Sequence, residues 1–184
     1  MFRVSLANAF AKRTCTPLYE KHQATPFAGT LDATEVAGLD VYSGMVASLD
    51  SGGEFVICDG ASMVPFGLFA LDCNPTINDL DGQPAGTAPF AVWTGGPDAL
   101  FKVTTLASDS GLGAFEDTGT FAVGTILYAG SGGDLGQITD APNTDAVPIG
   151  RVVQVVSATT LVVQITLPAT AGFKANVTGA GDPS

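Results

Sequence analysis

The sequence has few residues for chemistry that depends on histidine or on paired cysteines. His22 is the one histidine in 184 residues, and the three cysteines, Cys15, Cys58 and Cys73, lie far apart. An odd and scattered set of cysteines forms neither a disulfide framework nor a C-x-x-C metal site. We therefore interpret all three as small buried hydrophobic residues of a protein made in a reducing compartment.

Long apolar runs and positive charge are also scarce. No stretch reaches the roughly 18 apolar residues of a membrane span, so we predict no membrane partner. Charged residues make up 14% of the chain and the net charge is −11, divided into +3 within the first 21 residues and −14 in the remainder. Because so acidic a body repels nucleic acid, we predict no nucleic-acid partner. The basic segment at the start of the chain favours an acidic protein surface.

The abundant residues point to short strands joined by turns. The chain is 46% hydrophobic and contains 23 glycines and 11 prolines. From residue 30 to residue 167, segments rich in Val, Ile, Phe, Tyr and Thr alternate with Gly, Asp, Ser and Pro, which predicts an all-β body, an antiparallel β-barrel or sandwich. The segments are LDVYSGMVASL, GEFVICD, VPFGLFALD, FAVWTG, LFKVTTLA, FAVGTILYA, IGRVVQVVS and TLVVQITL. The clearest predicted hairpin joins the last two of these segments.

Both ends of the chain lack this pattern. Residues 1–29 have no sustained period and contain Pro17 and Pro26, which predicts an extended arm that becomes ordered on a partner. Residues 168–184 are small and polar, and we predict a loose tail. The arm offers apolar anchors and basic residues for a partner surface. They are Phe2, Arg3, Leu6, Phe10, Lys12, Arg13, Leu18, Tyr19 and Lys21.

A glycine pattern occurs twice in the body. Gly44 and Gly53 are nine residues apart, as are Gly124 and Gly133. Each pair is followed by a Pro-apolar-Gly triplet, after gaps that differ by three residues. The triplets are Pro65-Phe66-Gly67 and Pro148-Ile149-Gly150. We predict two similar β units near 38–72 and 119–156 that share a core, with an insert near 82–119. The alternative is that unrelated hairpins reuse the same turn residues.

The candidate catalytic motifs are incomplete. The glycines of 130–136 resemble a phosphate loop, but no Gly-Lys-Ser/Thr follows and the next segment has the pattern of a strand. Ser62, in Gly-Ala-Ser-Met-Val, lacks the second glycine of a nucleophile elbow and is better explained as a turn residue. A triad would also have to recruit His22 from the arm. We therefore predict no catalytic and no cofactor-binding residues.

Acidic residues and the one tryptophan also have simpler explanations. Residues 78–82 resemble part of a calcium loop, but Ile77 and Ala88 stand at the first and last ligand positions. The other carboxylates lie mostly beside Gly, Ser or Pro in predicted turns, so we predict no metal site and no cofactor. We interpret Trp93 as a core or interface anchor.

The second half of the chain resembles a known family in its pattern of strands and turns. A hairpin from Thr125 to Leu135, a variable Asp/Pro/Thr loop, and the stretch from Ile149 to Ile165 (IGRVVQVVSATTLVVQI) resemble the C-terminal part of the capsid cement proteins of tailed bacteriophages, also called head decoration proteins. The region from Gly44 to Ala70 is similar to their earlier β unit. The N-terminal arm and the insert near 82–119 depart from a minimal cement domain.

The resemblance implies a non-enzymatic structural protein of the virion. Such a protein, commonly a homotrimer, is made in the host cytoplasm, sits on the outer surface of the icosahedral head, and stabilises it by bridging neighbouring major capsid protein subunits. The alternatives are another virion β protein, such as a tail or head-fibre subunit, and a small-molecule or carbohydrate-binding module. A binding module requires a concave pocket with convergent polar groups, whereas bridging requires exposed contact surfaces.

Overall fold

The computed structural model describes residues 15–18, 25–32, 41–70, 89–95, 99–105, 113–116, 118–144 and 146–167. In this part, eleven strands form two sheets, and the helical structure is one 3₁₀ turn at Gly132–Asp134. All the strand pairs between them are antiparallel. The prediction of an all-β sandwich or barrel is therefore confirmed.

The strands are short and divide between a six-stranded and a five-stranded sheet. Their bounds are β1 (Cys15–Pro17), β2 (Thr25–Thr30), β3 (Val46–Leu49), β4 (Phe55–Ile57), β5 (Gly67–Phe69), β6 (Pro89–Thr94), β7 (Leu100–Thr104), β8 (Ile126–Ala129), β9 (Ile138–Thr139), β10 (Gly150–Ser157) and β11 (Thr160–Ile165). The six-stranded sheet has the order β1-β7-β11-β10-β8-β9, and the five-stranded sheet has the order β2-β6-β5-β3-β4.

Each of the eight segments predicted to be strands contains a strand, and the predicted hairpin is the pair β10 and β11. The prediction missed β1 and β2, whereas β9 follows the glycines of 130–136, where the sequence has the pattern of a strand. Pro17 lies in β1 and Pro26 in β2, and both strands are at the edge of their sheets. An edge strand tolerates proline because its outer side makes no ladder hydrogen bonds. The prolines interrupt the pattern by which strands are identified in a sequence.

Segments predicted to be an arm and an insert supply strands to the body. β1 and nearly all of β2 fall within residues 1–29, and they pair with β7 and β6. β6 and β7 both lie within residues 82–119. Residues 1–14, 19–24 and the predicted tail 168–184 lie outside the described residues.

The two sheets repeat one five-stranded arrangement. We call β2 to β6 unit 1 and β7 to β11 unit 2. Across the sheet, unit 1 places its first, fifth, fourth, second and third strands side by side. Unit 2 has the same order, with β1 added beyond β7. The similarity therefore extends to strands that lie outside the two repeated sequence segments.

Backbone hydrogen bonds around the repeated glycines correspond in the two units. The Gly44 N–H donates to the Phe69 carbonyl at 2.7 Å, and the Gly124 N–H donates to the Val152 carbonyl at 2.8 Å. Gly44 has a φ of 95° and Gly124 a φ of 91°. Because this left-handed conformation strains any residue with a Cβ, both positions favour glycine.

The strand register is also the same in the two units. In unit 1, Ala47 lies opposite Gly67, the last residue of the first Pro-apolar-Gly triplet. In unit 2, Leu127 lies opposite Gly150, the last residue of the second triplet. Each triplet therefore starts the fourth strand of its unit beside the same position of the second strand.

The three-residue difference between the repeats lies in the turn after the second strand. The Asp50 N–H donates to the Glu54 carbonyl at 3.0 Å, and the Gly130 N–H donates to the Gln137 carbonyl at 2.8 Å. These bonds close corresponding turns, of which the second contains the 3₁₀ turn at Gly132–Asp134. Beyond the turns, the two units are again in step.

Each sheet has an inner face, which packs on the core of its own unit, and an opposite outer face. The inner face of unit 1 forms a cluster that includes Ala47, Phe55, Phe69 and Val92. The inner face of unit 2 forms a cluster that includes Phe101, Leu127, Val152 and Val163. Outer-face residues of unit 1 belong to this second cluster, where Val46 and Leu68 are buried and Trp93 is partly buried. The two units therefore share a core, and Trp93 is one of its anchors.

Two cysteines follow the prediction that they are small buried hydrophobic residues. Cys15 and Cys58 lie in the shared cluster as thiols. Cys73 lies outside the described residues. Within the described part of the chain, no helix has the length and apolar composition needed to cross a membrane.

Candidate functional site

The predicted contact residues of the arm fall mostly outside the described part of the chain. Leu18 is the one that the structure describes. It follows β1, its side chain is exposed, and its N–H donates to the Leu100 carbonyl at 2.9 Å. The others, Phe2, Arg3, Leu6, Phe10, Lys12, Arg13, Tyr19 and Lys21, lie outside the described residues. Their contact with a partner stays a prediction.

Four exposed valines lie in or beside β10 of unit 2. Three of them, Val153, Val155 and Val156, belong to β10, and Val123 lies in the turn before β8. The Gly124 N–H donates to the Val152 carbonyl at 2.8 Å, which brings that turn beside β10. We call these four residues the valine surface. Several exposed apolar side chains close together in the fold mark a protein contact more often than scattered ones do.

The pairing of the strand that carries three of these valines is irregular. The register between β10 and β11 shifts between Val152 and Gln154 and again between Val155 and Ser157. Each shift places an extra residue on β10, and such bulges bend a strand and increase its twist. The valine doublets Val152-Val153 and Val155-Val156 mark these shifts. Most residues of β11 are buried, whereas β10 exposes most of its residues.

The strand β10 also has an open edge. Its pairing with β8 covers Gly150 and Arg151, whereas its pairing with β11 continues to Ser157. Among the described residues, no strand lies on the other side of the second half of β10. An open edge is a site where another chain can add contacts, although the bulges disfavour continuous strand addition.

The outer face of unit 2 forms an open groove of about 440 Å³. In it, the Arg151 Nε donates to the Gln164 Oε1 at 2.8 Å. The residues that line the groove are Ile126, Tyr128, Pro148, Gly150, Arg151, Gln164 and Thr166. Lys102 and Arg151 are the two basic residues of the described part of the chain, so this face carries one of few positive charges on an acidic body.

Unit 1 presents exposed aromatic and aliphatic side chains at the rim of its inner face. The Phe27 ring packs edge-on against Phe66, with ring centroids 5.2 Å apart, and against Phe55 at 6.1 Å. Phe27 and Leu49 are nevertheless exposed, and Phe66 is half-buried. We call Phe27, Leu49 and Phe66 the open rim of unit 1.

Three carboxylates lie together beside this rim. Oxygen atoms of Asp32, Asp50 and Glu54 lie within 4.8 Å of one another. The Asp50 Oδ1 accepts the Glu54 N–H at 2.7 Å, and Glu54 accepts the Thr30 hydroxyl at 3.3 Å. Carboxylate oxygens are suitable ligands for a hard cation, but two of these groups already cap the turn and the end of β2. The acidic segment 78–82 of the sequence prediction lies outside the described residues.

A buried carboxylate stabilises the third strand of unit 2. Glu116 accepts hydrogen bonds from the Thr139 hydroxyl and from the Asp140 N–H. The Thr120 N–H donates in turn to Asp140 at 2.9 Å. Burial raises the pKa of Glu116 above its ordinary value, an effect that the Thr139 and Asp140 N–H hydrogen bonds oppose. Because these partners are structural turn and strand residues, we assign Glu116 to the stability of the fold.

The residues with catalytic resemblance have structural surroundings. The Ser62 hydroxyl donates to the Asp59 carboxylate at 2.9 Å within an exposed turn. The loop 130–136 contains a 3₁₀ turn and leads into β9, so it does not have the strand-loop-helix geometry of a phosphate loop. His22 lies outside the described residues.

These features define a class of protein first. The described part of the chain is a two-sheet β fold whose apolar side chains lie on open surfaces and a strand edge, the kind of geometry that contacts other proteins. A model of the phage cement protein family matches residues 1–180, and the chain belongs to this family. No curated protein and no solved structure matches the chain.

Family membership confirms the resemblance found in the sequence. The chain is a structural protein of the bacteriophage capsid and a component of the virion. Neither the valine surface nor the open rim was among the contact residues predicted from the sequence. Valine doublets that break strand alternation were the available signal for the first, and no comparable signal marked Phe27.

Proposed function

We propose that this protein binds the outer surface of the icosahedral head and bridges neighbouring subunits of the major capsid protein. It acts as a homotrimer, without enzymatic activity, and adds to the head after synthesis in the host cytoplasm. Family membership supports the capsid as the place of action. A shell that offers many equivalent sites makes modest contacts per copy effective, because bridging links several contacts into one multivalent attachment.

The valine surface is the observation on the fold that supports a capsid contact most directly. Val153, Val155 and Val156 are exposed on a strand with one open edge. Their burial would gain about 25 cal/mol for each Å² of apolar surface removed from water. A partner that covers this surface would therefore add a favourable free energy of apolar burial that the isolated chain does not have.

The predicted arm is the second proposed contact with the capsid. Its first 14 residues contain Phe2, Leu6 and Phe10 together with basic side chains, which suit an acidic capsid surface with apolar sites. The fold sets the limit of a useful truncation. Cys15 is buried in the shared core and β1 pairs with β7, so a truncation should stop at residue 14.

Binding to undecorated, expanded heads tests this proposal. Purified protein is mixed with heads, and bound copies are counted after sedimentation. We expect stoichiometric binding by the full chain and strongly reduced binding by Val156→Glu and by the chain without residues 1–14. Ala61→Glu, which adds the same charge in an exposed turn, is the matched control and should bind normally.

The outcomes separate the parts of the proposal. Absence of binding by the full chain would overturn the bridging role. Full occupancy by Val156→Glu would overturn the role of the valine surface, and full occupancy by the truncated chain would overturn the role of the arm. Circular dichroism of each variant establishes that the β fold is retained.

A further inference from the structure

The repeated units differ in what covers their outer faces. Val46 of unit 1 and Ile126 of unit 2 are equivalent. Val46 directly precedes Ala47, which pairs with Gly67, and Ile126 directly precedes Leu127, which pairs with Gly150. Val46 is 0% exposed, and Ile126 is 45% exposed. Unit 2 itself covers Val46 within the shared core. The equivalent face of unit 2 has no such cover in the described part of the chain.

Neighbouring positions of the outer faces show the same contrast. Leu68 lies opposite Val46 and is buried, whereas its equivalent Arg151 lies opposite Ile126 and is exposed. Pro65 is buried and its equivalent Pro148 is exposed. The groove on unit 2 therefore occupies the same place as the surface through which unit 1 packs against unit 2.

The inner faces show the reverse contrast. Phe27 pairs with Val92 and Phe101 pairs with Val163, at equivalent positions of the two units. Phe101 is 0% exposed beneath the outer face of unit 1, whereas Phe27 is 48% exposed. Leu49 of the open rim is likewise exposed, whereas its equivalent Ala129 is buried.

The chain therefore exposes the outer face of unit 2 and the rim of the inner face of unit 1, the counterparts of the two faces that pack together within it. We propose that the outer face of unit 2 docks on the open rim of unit 1 in a second copy of this chain. The contact repeats, between copies, the packing of unit 1 on unit 2 within a copy. It is heterologous, so it forms a ring when its rotation closes. This inference rests on the proposed homotrimer. If this contact holds the three copies together, their six units would alternate around the ring.

Charge favours this pairing of faces. Arg151 lies in the groove on the outer face of unit 2. Asp50 directly follows Leu49 of the open rim, and Glu54 directly precedes Phe55, against which Phe27 packs. Docking would bring a cation of one copy towards carboxylates of the other, and charge complementarity of this kind selects the register of an interface.

Two variants and their mixture test the proposal. We would measure the mass of the wild type, Ile126→Glu and Phe27→Glu by sedimentation and light scattering at about 100 μM protein, a concentration that reveals contacts of micromolar affinity. The wild type should associate, and each variant alone should have the mass of the 18.6 kDa monomer. Ala61→Glu, which adds the same charge in an exposed turn outside both faces, is the control and should keep the wild-type mass.

Mixing the variants distinguishes a heterologous contact from a general loss of association. Ile126→Glu keeps the open rim of unit 1 intact, and Phe27→Glu keeps the outer face of unit 2 intact. An equal mixture of the two variants can therefore make the contact once, and it should form a dimer of twice the monomer mass and nothing larger. A mixture that stays monomeric, or a variant that keeps the wild-type mass, would overturn the proposal. If Phe27→Glu fails to fold, Leu49→Glu changes the same rim and replaces it in the experiment.

The same samples separate this inference from the proposed function. A wild type that remains monomeric at every concentration yet decorates heads would overturn the inference and leave the bridging role standing. Association that depends on Ile126 and Phe27 without any binding to heads would support the inference and overturn the bridging role.

Discussion

Replacement of the two equivalent phenylalanines by alanine should have very different effects on the stability of the isolated chain. Phe101 is fully buried in the shared core, and loss of a buried Phe side chain costs about 3–5 kcal/mol in the free energy of unfolding. Phe27 is 48% exposed. Because full burial of such a side chain is worth about 1.5–3 kcal/mol, and about half of it is absent here, Phe27→Ala should cost about 1 kcal/mol.

Urea unfolding measures both costs. A slope of about 2 kcal/mol/M converts them into midpoint shifts of about 2 M for Phe101→Ala and about 0.5 M for Phe27→Ala. The protein should be dilute, since association of the folded state would add stability. At high concentration the cost of Phe27→Ala should increase, because a second copy then covers the ring.

Equal shifts for the two variants would refute this reasoning. They would mean that the Phe27 ring is as well covered within one chain as the Phe101 ring, and the open rim would not exist in solution. A cost of Phe27→Ala that stays constant with concentration would argue that no partner copy covers the ring. Slopes equal to that of the wild type show that the compared transitions are the same.

Two further predictions concern the repeated glycines and the buried carboxylate. Alanine at Gly44 or Gly124 must adopt a positive φ, which costs about 1–2 kcal/mol, but only at Gly44 would the added Cβ meet a neighbour, Ala114 Cβ at 2.6 Å. Gly44→Ala should therefore unfold at clearly lower urea than Gly124→Ala, and equal midpoints would contradict the packing around Gly44. Burial raises the pKa of Glu116 above 4.5, so the folded state keeps the Glu116 carboxyl protonated to higher pH than the unfolded chain does. The stability that this group contributes is therefore lost as the pH rises from about 4.5 through the raised pKa. In Glu116→Gln, the free energy of unfolding should therefore change less with pH in this window than it does in the wild type. If the two pH profiles are the same, other groups cause the pH dependence.

Much of the fold could be predicted because local patterns carry it. Alternating β-branched and aromatic residues between turn residues identified eight strands, and the hairpin of β10 and β11 was recognised from its short polar turn. The glycine spacing identified Gly44 and Gly124 as equivalent, and their positive φ values explain why glycine stands at both. The strands β1 and β2 were missed because each contains a proline. Proline occurs both in edge strands and in loops, so its presence alone does not distinguish them.

By itself, the sequence determined the all-β class, the position of most strands, the acidic body and the likeness to cement proteins, since each of these depends on composition and on spacing along the chain. The tertiary structure alone decided which of two equivalent residues is covered. Val46 and Ile126, or Phe101 and Phe27, are similar apolar residues in similar strands, and no local pattern separates them. Their exposure depends on whether another layer packs across the face, and that layer comes from residues distant in the chain or, as we propose, from a second copy.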